Sequence, residues 1–155
     1  MKLDELTFVE RTLGSGLRAV VVPMPGVHRV VVNAQLRTGP AYEPAEDNGI
    51  SHFLEHMLYR GTERHPSAHD QADAFESLGG TLSASTYVDH GSMAIAVPVE
   101  SFDKTLPLFA EVYQQPLFSH IETEKGIVGE EILESLDDDG EPVGADELIR
   151  TLCFG

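Results

Sequence analysis

The sequence predicts an α+β fold with a mostly antiparallel sheet, helices packed on one face of that sheet, and a helix with two histidines following the third strand. The chain has 155 residues, of which 41% are hydrophobic and 23% are charged. This is the size and composition of about one globular domain. Segments of β-type and helical pattern follow one another in the order β-β-β-α-α-β-β-α-α, which is typical of an α+β fold.

The first part of the chain is predicted to form three strands. Residues 8–13 and 17–23 are rich in β-forming residues and flank Gly14-Ser15-Gly16, which predicts a hairpin with a short glycine turn. Residues 29–38 alternate enough to form a half-buried third strand, and Gly39-Pro40 ends it.

Helices and two further strands account for the rest of the chain. A first helix is predicted to begin at residues 47–49 and to end at Gly61, and a second is predicted to begin at a Ser67 cap and to run to Leu78. Strands follow at residues 81–88 and 92–97, and helices at residues 101–113 and 121–136. The third helix is expected to bury one apolar side, formed by Phe102, Leu106, Phe109, Ala110 and Tyr113.

Charge and composition exclude several classes of function. The net charge of −16 argues against nucleic acid and against an anionic membrane as partners, because phosphate binding needs the opposite sign. No run approaches the roughly 20 apolar residues of a membrane span, and the single cysteine, Cys153, can form no internal disulfide. Residues 1–5 have neither a signal-peptide core nor transit-peptide character, so we expect a cytoplasmic protein, with a leader that has already been removed as the alternative.

The most informative stretch is His52-Phe53-Leu54-Glu55-His56, which has the order H-x-x-E-H. Residues four apart lie one above the other on a helix, so both imidazoles can reach one divalent ion, and Glu55 projects toward the same side. Two neutral nitrogens and a nearby carboxylate that does not bind the metal are what a water-activating zinc site needs. The order reverses the commoner H-E-x-x-H and matches the inverted zinc-peptidase signature.

A catalytic zinc site usually has a third protein ligand, with water in the fourth position. The acid-rich fourth helix is the obvious source of that ligand. Glu124 and Glu131 are seven residues apart on it, which is two helical turns, and they therefore share a face. The candidates on this helix are Glu122, Glu124, Glu130, Glu131 and Glu134.

Three segments resemble motifs of the pitrilysin, insulysin and mitochondrial processing peptidase family of inverted-motif metallopeptidases. Residues 49–58, followed by Gly61-Thr62, resemble the family's zinc-site helix. Residues 78–86 (LGGTLSAST) resemble its glycine pair and substrate-binding edge strand, and residues 124–131 (EKGIVGEE) resemble its downstream glutamate segment. The resemblance covers nearly the whole chain. It implies that residues 1–155 are most of one zinc-bearing N-terminal peptidase domain, truncated at its C-terminal end.

The resemblance implies a role for each site residue. His52, His56 and Glu131 would bind one Zn²⁺ per chain, because the second of two glutamates seven residues apart is the third ligand in the family. Glu124 matches the family's accessory glutamate, which lies beside the ligands or close to the metal. Glu55 would be the general base that takes a proton from water and passes it to the leaving amine.

Substrate and partners also follow from the resemblance. In the family an extended peptide adds to the edge strand, so Ser83, Ala84 and Ser85 would bind the substrate. A second peptidase-like half or subunit would close over the peptide, and an arginine and a tyrosine from beyond this domain would help to bind the reacting carbonyl. We therefore expect the catalytic portion of a zinc endopeptidase, with little activity in isolation. The alternative is a metal-binding structural or regulatory subunit without turnover, since inactive family members serve as partners.

Two departures from the family pattern affect these expectations. Ser83 stands where the family usually has asparagine, and its shorter side chain predicts a weaker contact with substrate. Gly126 and Gly129 lie within the fourth helix, where each costs about 1 kcal/mol relative to alanine. Close packing against the zinc-site helix would account for both glycines.

Chance spacing is the competing explanation for the histidine pairs. His52 and His56 could be two polar residues on an amphipathic helix, but Glu55, Glu131 and the glycine motif are all in register with a zinc site. His65 and His69 are also four apart, with a proline between them that disfavours a helix. We expect that second pair to be an exposed loop residue and an exposed cap residue.

Overall fold

A computed structural model of the chain describes residues 7–141, together with residues 143, 144, 149, 152 and 153. The elements follow the predicted order, and the antiparallel pairing of their strands confirms the α+β prediction. In chain order they are β1 (Val9–Thr12), β2 (Arg18–Val21), β3 (Arg29–Leu36), α1 (Ile50–Leu58), α2 (Ala68–Glu76), β4 (Ser83–Thr86), β5 (Gly91–Pro98), α3 (Phe102–Gln114) and α4 (Ile121–Glu134).

The strands form two separate sheets. β1 and β2 make the predicted hairpin, which pairs with no other strand in the part of the chain that the structure describes. The second sheet has the order β3-β5-β4, so β5 is central and β4 lies at an edge. β4 covers only four of the eight residues predicted for it, because the flanking residues 81–82 and 87–88 make no ladder pairs with β5.

The core lies on one face of the three-stranded sheet. Met93, Ile95 and Val97 alternate along β5 and are at most 2% exposed, as expected for side chains that point to the same side of a strand. On the opposite face Val31 of β3 is 65% exposed, so the helices cover one face, as predicted. The buried residues that the helices contribute to this core are Leu58, Phe75, Leu108, Phe109 and Val112.

The predicted apolar side of α3 is buried or partly buried except at Leu106. Leu106 is 46% exposed, whereas Thr105, Leu108 and Val112 are buried. These three residues are three or four positions apart and therefore share a face, and Leu106 lies about 100° from Thr105 around the helix. Glu111, three residues after Leu108, is also buried, which the apolar pattern did not indicate.

The start of α1 is held by a residue outside the predicted cap. The helix begins at Ile50 after Gly49, which offers no side-chain cap. The Glu43 carboxylate instead accepts hydrogen bonds from the Gly49 and Ser51 amides at 2.6 and 2.9 Å. A carboxylate on the free amides of a first turn stabilises the helix start. Glu43 therefore helps to set where α1 begins relative to the end of β3.

Hydrogen bonds from α2 hold the end of α1 in place. Ser67 caps α2 as predicted, with its hydroxyl accepting from the Asp70 amide at 3.0 Å. Within α2 the buried Gln71 side chain donates to the Leu58 carbonyl and accepts from the Gly61 amide, each at 3.0 Å. A satisfied, buried amide fixes the groups that it bridges, so the turn after α1 has a defined position. Among the described residues, no helix is both long and apolar enough to span a membrane.

Candidate metal centre

Helix α1 brings its two histidines together as the spacing predicted. The Nε2 atoms of His52 and His56 are 3.2 Å apart. Their rings meet edge to face, with centroids 4.7 Å apart and planes at 88°. Both side chains are partly buried, at 35% and 21% exposure. The two rings thus direct one nitrogen each toward a common point.

Glu131 of α4 completes the group. Its Oε2 atom lies 3.2 Å from Nε2 of His56, and its Oε1 atom lies 3.7 Å from Nε2 of His52. One donor atom from each of the three residues lies within 4.8 Å of the others, and among the residues that the structure describes this is the only group of three or more such side chains that could hold a metal ion. The Glu131 side chain is 52% exposed, so the centre is open to solvent on that side.

The donor set fits zinc in chemistry and in spacing. Zinc takes imidazole nitrogens and carboxylate oxygens at about 2.0–2.2 Å, and a tetrahedral arrangement at that radius keeps ligand atoms roughly 3.3 Å apart. The separations of 3.2, 3.2 and 3.7 Å agree with that value. Three ligands leave a fourth position for water or substrate, which is the pattern of a catalytic zinc site.

Glu124, the other glutamate predicted near the site, contacts the Nδ1 atom of the His56 ring. Its Oε1 atom lies 2.9 Å from Nδ1 of His56, and Nη2 of Arg60 donates to the same oxygen at 2.7 Å. Glu124 is 1% exposed. Burial raises the pKa of its carboxyl, but the hydrogen bonds from Arg60 and His56 and the Arg60 charge outweigh this, and they hold the pKa below the usual value.

Glu55, the predicted base, lies on the same helix and is held from the sheet. The hydroxyl of Thr86, the last residue of β4, donates to Oε2 of Glu55 at 2.5 Å. Helix α1 also packs against strand β4. The contact places the carboxylate between the histidine helix and the edge strand.

Arg60 and Thr86 are the two residues that the sequence analysis missed. Arg60 lies four residues after His56, a helical spacing that could have suggested a shared side. Thr86 is two residues after Ala84, and strand alternation puts both on the core face of β4. Neither spacing identifies the carboxylate that each residue contacts, because both contacts join distant parts of the chain.

The three residues predicted to bind substrate all lie in β4. Ala84 points into the core, and Ser83 and Ser85 are exposed on the other face. The Ser83 hydroxyl donates to the Ala94 carbonyl at 3.2 Å, and the Ser85 hydroxyl donates to the Ala84 carbonyl at 2.8 Å. Both hydroxyls already bind main chain, and the second edge of β4 pairs with no strand among the residues that the structure describes, so this edge remains for an added strand.

Two expectations around the site are wrong. Added β-carbons on Gly126 and Gly129 would meet nothing within 4 Å, so close packing against α1 does not account for these glycines. His65 is partly buried, with Nδ1 3.4 Å from the Glu111 carboxylate, because the loop after α1 folds back on α3. His69 is 83% exposed in the first turn of α2, as predicted, so the two histidines do not form a metal pair.

Comparison with known proteins decides the family. A profile of the insulinase family (peptidase family M16) matches residues 18–152. The chain belongs to the insulinase family of peptidases. An uncharacterized zinc protease of Rickettsia felis is 35% identical over 127 residues, which cover 81% of this chain and 31% of that protein. An uncharacterized zinc protease of Bacillus subtilis is 34% identical over 123 residues, which cover 78% and 30% of the two proteins.

Two solved protease structures have the same fold. A protease from Helicobacter pylori aligns with a TM-score of 0.80 at 28% identity, covering 90% of this chain and 33% of that one. The first half of the periplasmic protease PqqL from Escherichia coli aligns with a TM-score of 0.74 at 25% identity, covering 85% and 30%. The chain thus spans about a third of the length of the relatives that it matches.

Proposed function

We propose that the chain is the catalytic, zinc-bearing N-terminal domain of an endopeptidase that cleaves extended peptide segments. The observation that carries this proposal is the convergence of His52, His56 and Glu131 next to Glu55, which is itself joined to the edge strand β4. Family membership supports hydrolysis of peptide bonds, and the relatives from Rickettsia felis and Bacillus subtilis described above are named zinc proteases.

Each residue has a role that its position supports. His52, His56 and Glu131 would hold the metal. Zinc bound there would lower the pKa of a water toward neutrality and polarise the scissile carbonyl. Glu55 would accept the proton of that water and deliver it to the leaving amine. Thr86 would hold the Glu55 carboxylate toward the substrate strand, and Glu124 would keep the proton of His56 on Nδ1.

The substrate would bind as an additional strand on the free edge of β4. Main-chain hydrogen bonds then supply affinity for any extended segment, and side-chain preference comes from neighbouring pockets. Ser83, Ala84 and Ser85 would take part through their backbone groups. The net charge of −16 favours cationic segments over anionic ones.

Catalysis would require domains beyond this chain. The chain spans about a third of its relatives, and one structural relative is the first half of a protease. We propose that a second peptidase-like half, in the same polypeptide or in a partner subunit, closes over the peptide. The combination of this chain with that half is called the assembled enzyme below. A cytoplasmic location remains a prediction, and PqqL is named as periplasmic.

Cleavage of a peptide blocked at both ends tests the proposal, because only an endopeptidase can cut it internally. In the assembled enzyme, Glu55→Gln should lose at least about 100-fold in rate, the usual contribution of a general base, and should retain its zinc. Glu122→Gln, on an exposed part of α4, is the matched control and should keep full activity. Zinc binding without cleavage in the wild type would favour the regulatory subunit, and full cleavage by Glu55→Gln would overturn the mechanism.

A further inference from the structure

We propose that Arg60 is a positioning residue for the metal centre, acting by holding the Glu124 carboxylate in the orientation that fixes the ring of His56. The inference rests on the proposed zinc site and extends it to Arg60, whose side chain binds Glu124 and is not one of the three proposed ligands. It concerns a chain of three residues, in which Arg60 contacts Glu124 and Glu124 contacts Nδ1 of His56.

The guanidinium of Arg60 contacts both oxygens of Glu124. Its Nη2 atom donates to Oε1 at 2.7 Å, and its Nε atom lies against Oε2. The Nε contact is an ion pair without a hydrogen bond, so the Nη2 hydrogen bond fixes the position of Oε1, and the charge of the guanidinium holds the second oxygen nearby. Oε1, the oxygen bound by Nη2, is also the one 2.9 Å from Nδ1 of His56.

The Glu124 carboxylate is buried, and this increases the importance of its contact with Arg60. The Glu124 side chain is 2% exposed, whereas the side chain of Arg60 is 32% exposed. A buried carboxylate needs a partner charge and filled hydrogen-bond positions, since water cannot provide them. Among the described residues, only Arg60 and His56 form ion pairs with Glu124.

The Arg60 side chain also extends from a fixed part of the backbone. The Arg60 amide donates to the Met57 carbonyl at 3.1 Å, and the following Gly61 amide donates to Gln71 at 3.0 Å. Gln71 is 2% exposed and is anchored in α2. The backbone that carries the Arg60 side chain therefore has a defined position.

The result at His56 follows from hydrogen-bond chemistry. A carboxylate only accepts, so the ring nitrogen that faces it is the one that carries the proton. With the proton on Nδ1, the lone pair is on Nε2, which faces His52 and Glu131. Partners of this kind orient a ligating histidine, and their loss typically costs about 10–100-fold in metal affinity.

A double-mutant cycle on zinc affinity tests whether Arg60 acts through Glu124. Glu124→Gln should weaken zinc binding by about 10–100-fold, and Arg60→Met should weaken it by about 10-fold. The double variant should bind zinc no more weakly than Glu124→Gln alone, because the contact that Arg60 serves is already lost. Arg18→Met is the matched control, since it breaks an exposed arginine–glutamate pair in the hairpin, and it should leave zinc affinity unchanged.

Two further measurements keep the test independent of folding and of the metal. Arg60→Lys retains the charge without the planar fork, so it should fall between the wild type and Arg60→Met and can replace a methionine variant that fails to fold. In metal-free protein at mildly alkaline pH, where histidine is neutral, nitrogen NMR should show the His56 proton on Nδ1 in the wild type. Arg60→Met should redistribute that proton between the two nitrogens.

The results of these experiments distinguish a failure of the Arg60 proposal from a failure of the zinc-site proposal. Wild-type affinity in Arg60→Met, or an equal fold-loss with and without Glu124, would overturn the role of Arg60 while leaving the zinc site intact. A wild-type protein that binds no zinc would overturn the proposed function, and the NMR measurement would still decide whether Arg60 orients His56.

Discussion

The hydroxyl of Thr86 donates a hydrogen bond to Oε2 of Glu55 at 2.5 Å, although the two residues are 31 positions apart. This contact joins the edge strand β4 to the helix that carries the proposed base. The strand that we propose to bind the peptide is thus also the strand that orients the group acting on it. Substrate alignment and base alignment depend on the same element.

The substitution Thr86→Val tests that relationship. Valine keeps the branched shape and removes the hydroxyl, so Glu55 loses the donor that orients it. General-base catalysis contributes about 10²–10⁴-fold, and we expect the misoriented base to lose about 10-fold in kcat/KM. Zinc content should stay at the wild-type level, because the hydroxyl of Thr86 donates to Glu55 and not to one of the three proposed ligands. The measurement is cleavage of a doubly blocked peptide by the assembled enzyme, together with zinc analysis.

Thr81→Val provides the control, because Thr81 is exposed and lies ahead of β4. It should cleave the peptide at the wild-type rate. Equal kcat/KM for Thr86→Val and the wild type would show that the contact does not orient the base.

A second prediction concerns the buried carboxylate of Glu111, which is 7% exposed. It accepts a hydrogen bond from the Thr62 hydroxyl and lies 3.4 Å from Nδ1 of His65 and 3.7 Å from the Arg64 guanidinium. Burial raises the pKa of Glu111, but these three neighbours lower it more, so the pKa lies below the usual value. Glu111→Gln should reduce the free energy of unfolding at neutral pH by about 1.5–3 kcal/mol, the typical contribution of a charge-assisted hydrogen bond.

The sign of the pH dependence follows from the lowered pKa. The ionised form is favoured in the folded state, so its stabilisation is complete above the unfolded value of about 4.3 and is lost as the pH falls through the folded value. Denaturant unfolding of the wild type and of Glu111→Gln should therefore converge in acid. Glu122→Gln, whose side chain is 85% exposed, should track the wild type throughout. A difference between the wild type and Glu111→Gln that stays constant down to about pH 3 would contradict the prediction.

A third prediction uses the glycines of α4. An added β-carbon on Gly126 would meet nothing within 4 Å, so Gly126→Ala should raise the free energy of unfolding by up to about 1 kcal/mol through helix propensity. Gly39→Ala should have the opposite sign, because Gly39 has φ of 116° and its added β-carbon would collide with the carbonyl oxygens of Tyr87 and Val88. Chemical denaturation of both variants checks the pair. A destabilised Gly126→Ala would mean that another part of the protein packs against this glycine.

The elements and the pairing of the two histidines were predictable because both rest on local periodicity. Apolar spacing in residues 50–58 predicts the helix, and the i, i+4 rule puts His52 and His56 on one side of it. The pairing with Glu131 came from a family resemblance, since five glutamates on α4 were compatible with the spacing argument. The structure brings Glu131 to the two histidines, and Glu122, Glu130 and Glu134 are exposed away from them.

The contacts that tune the site were not predictable, because they join residues far apart in the chain. Arg60 meets Glu124 across 64 positions, and Thr62 meets Glu111 across 49. A local pattern carries no information about which buried carboxylate a given donor will reach. The cap of α1 was also not predictable, because Glu43 lies six residues before Gly49 and outside any standard capping motif.

Zinc content per chain tests the central claim most directly. Elemental analysis of the purified wild type should give about one zinc per chain, the amount expected for a single three-ligand site. Glu131→Ala should lose that zinc, and Glu130→Ala, the exposed neighbour on α4, should keep it. Wild-type zinc content in Glu131→Ala would contradict the proposed ligand set.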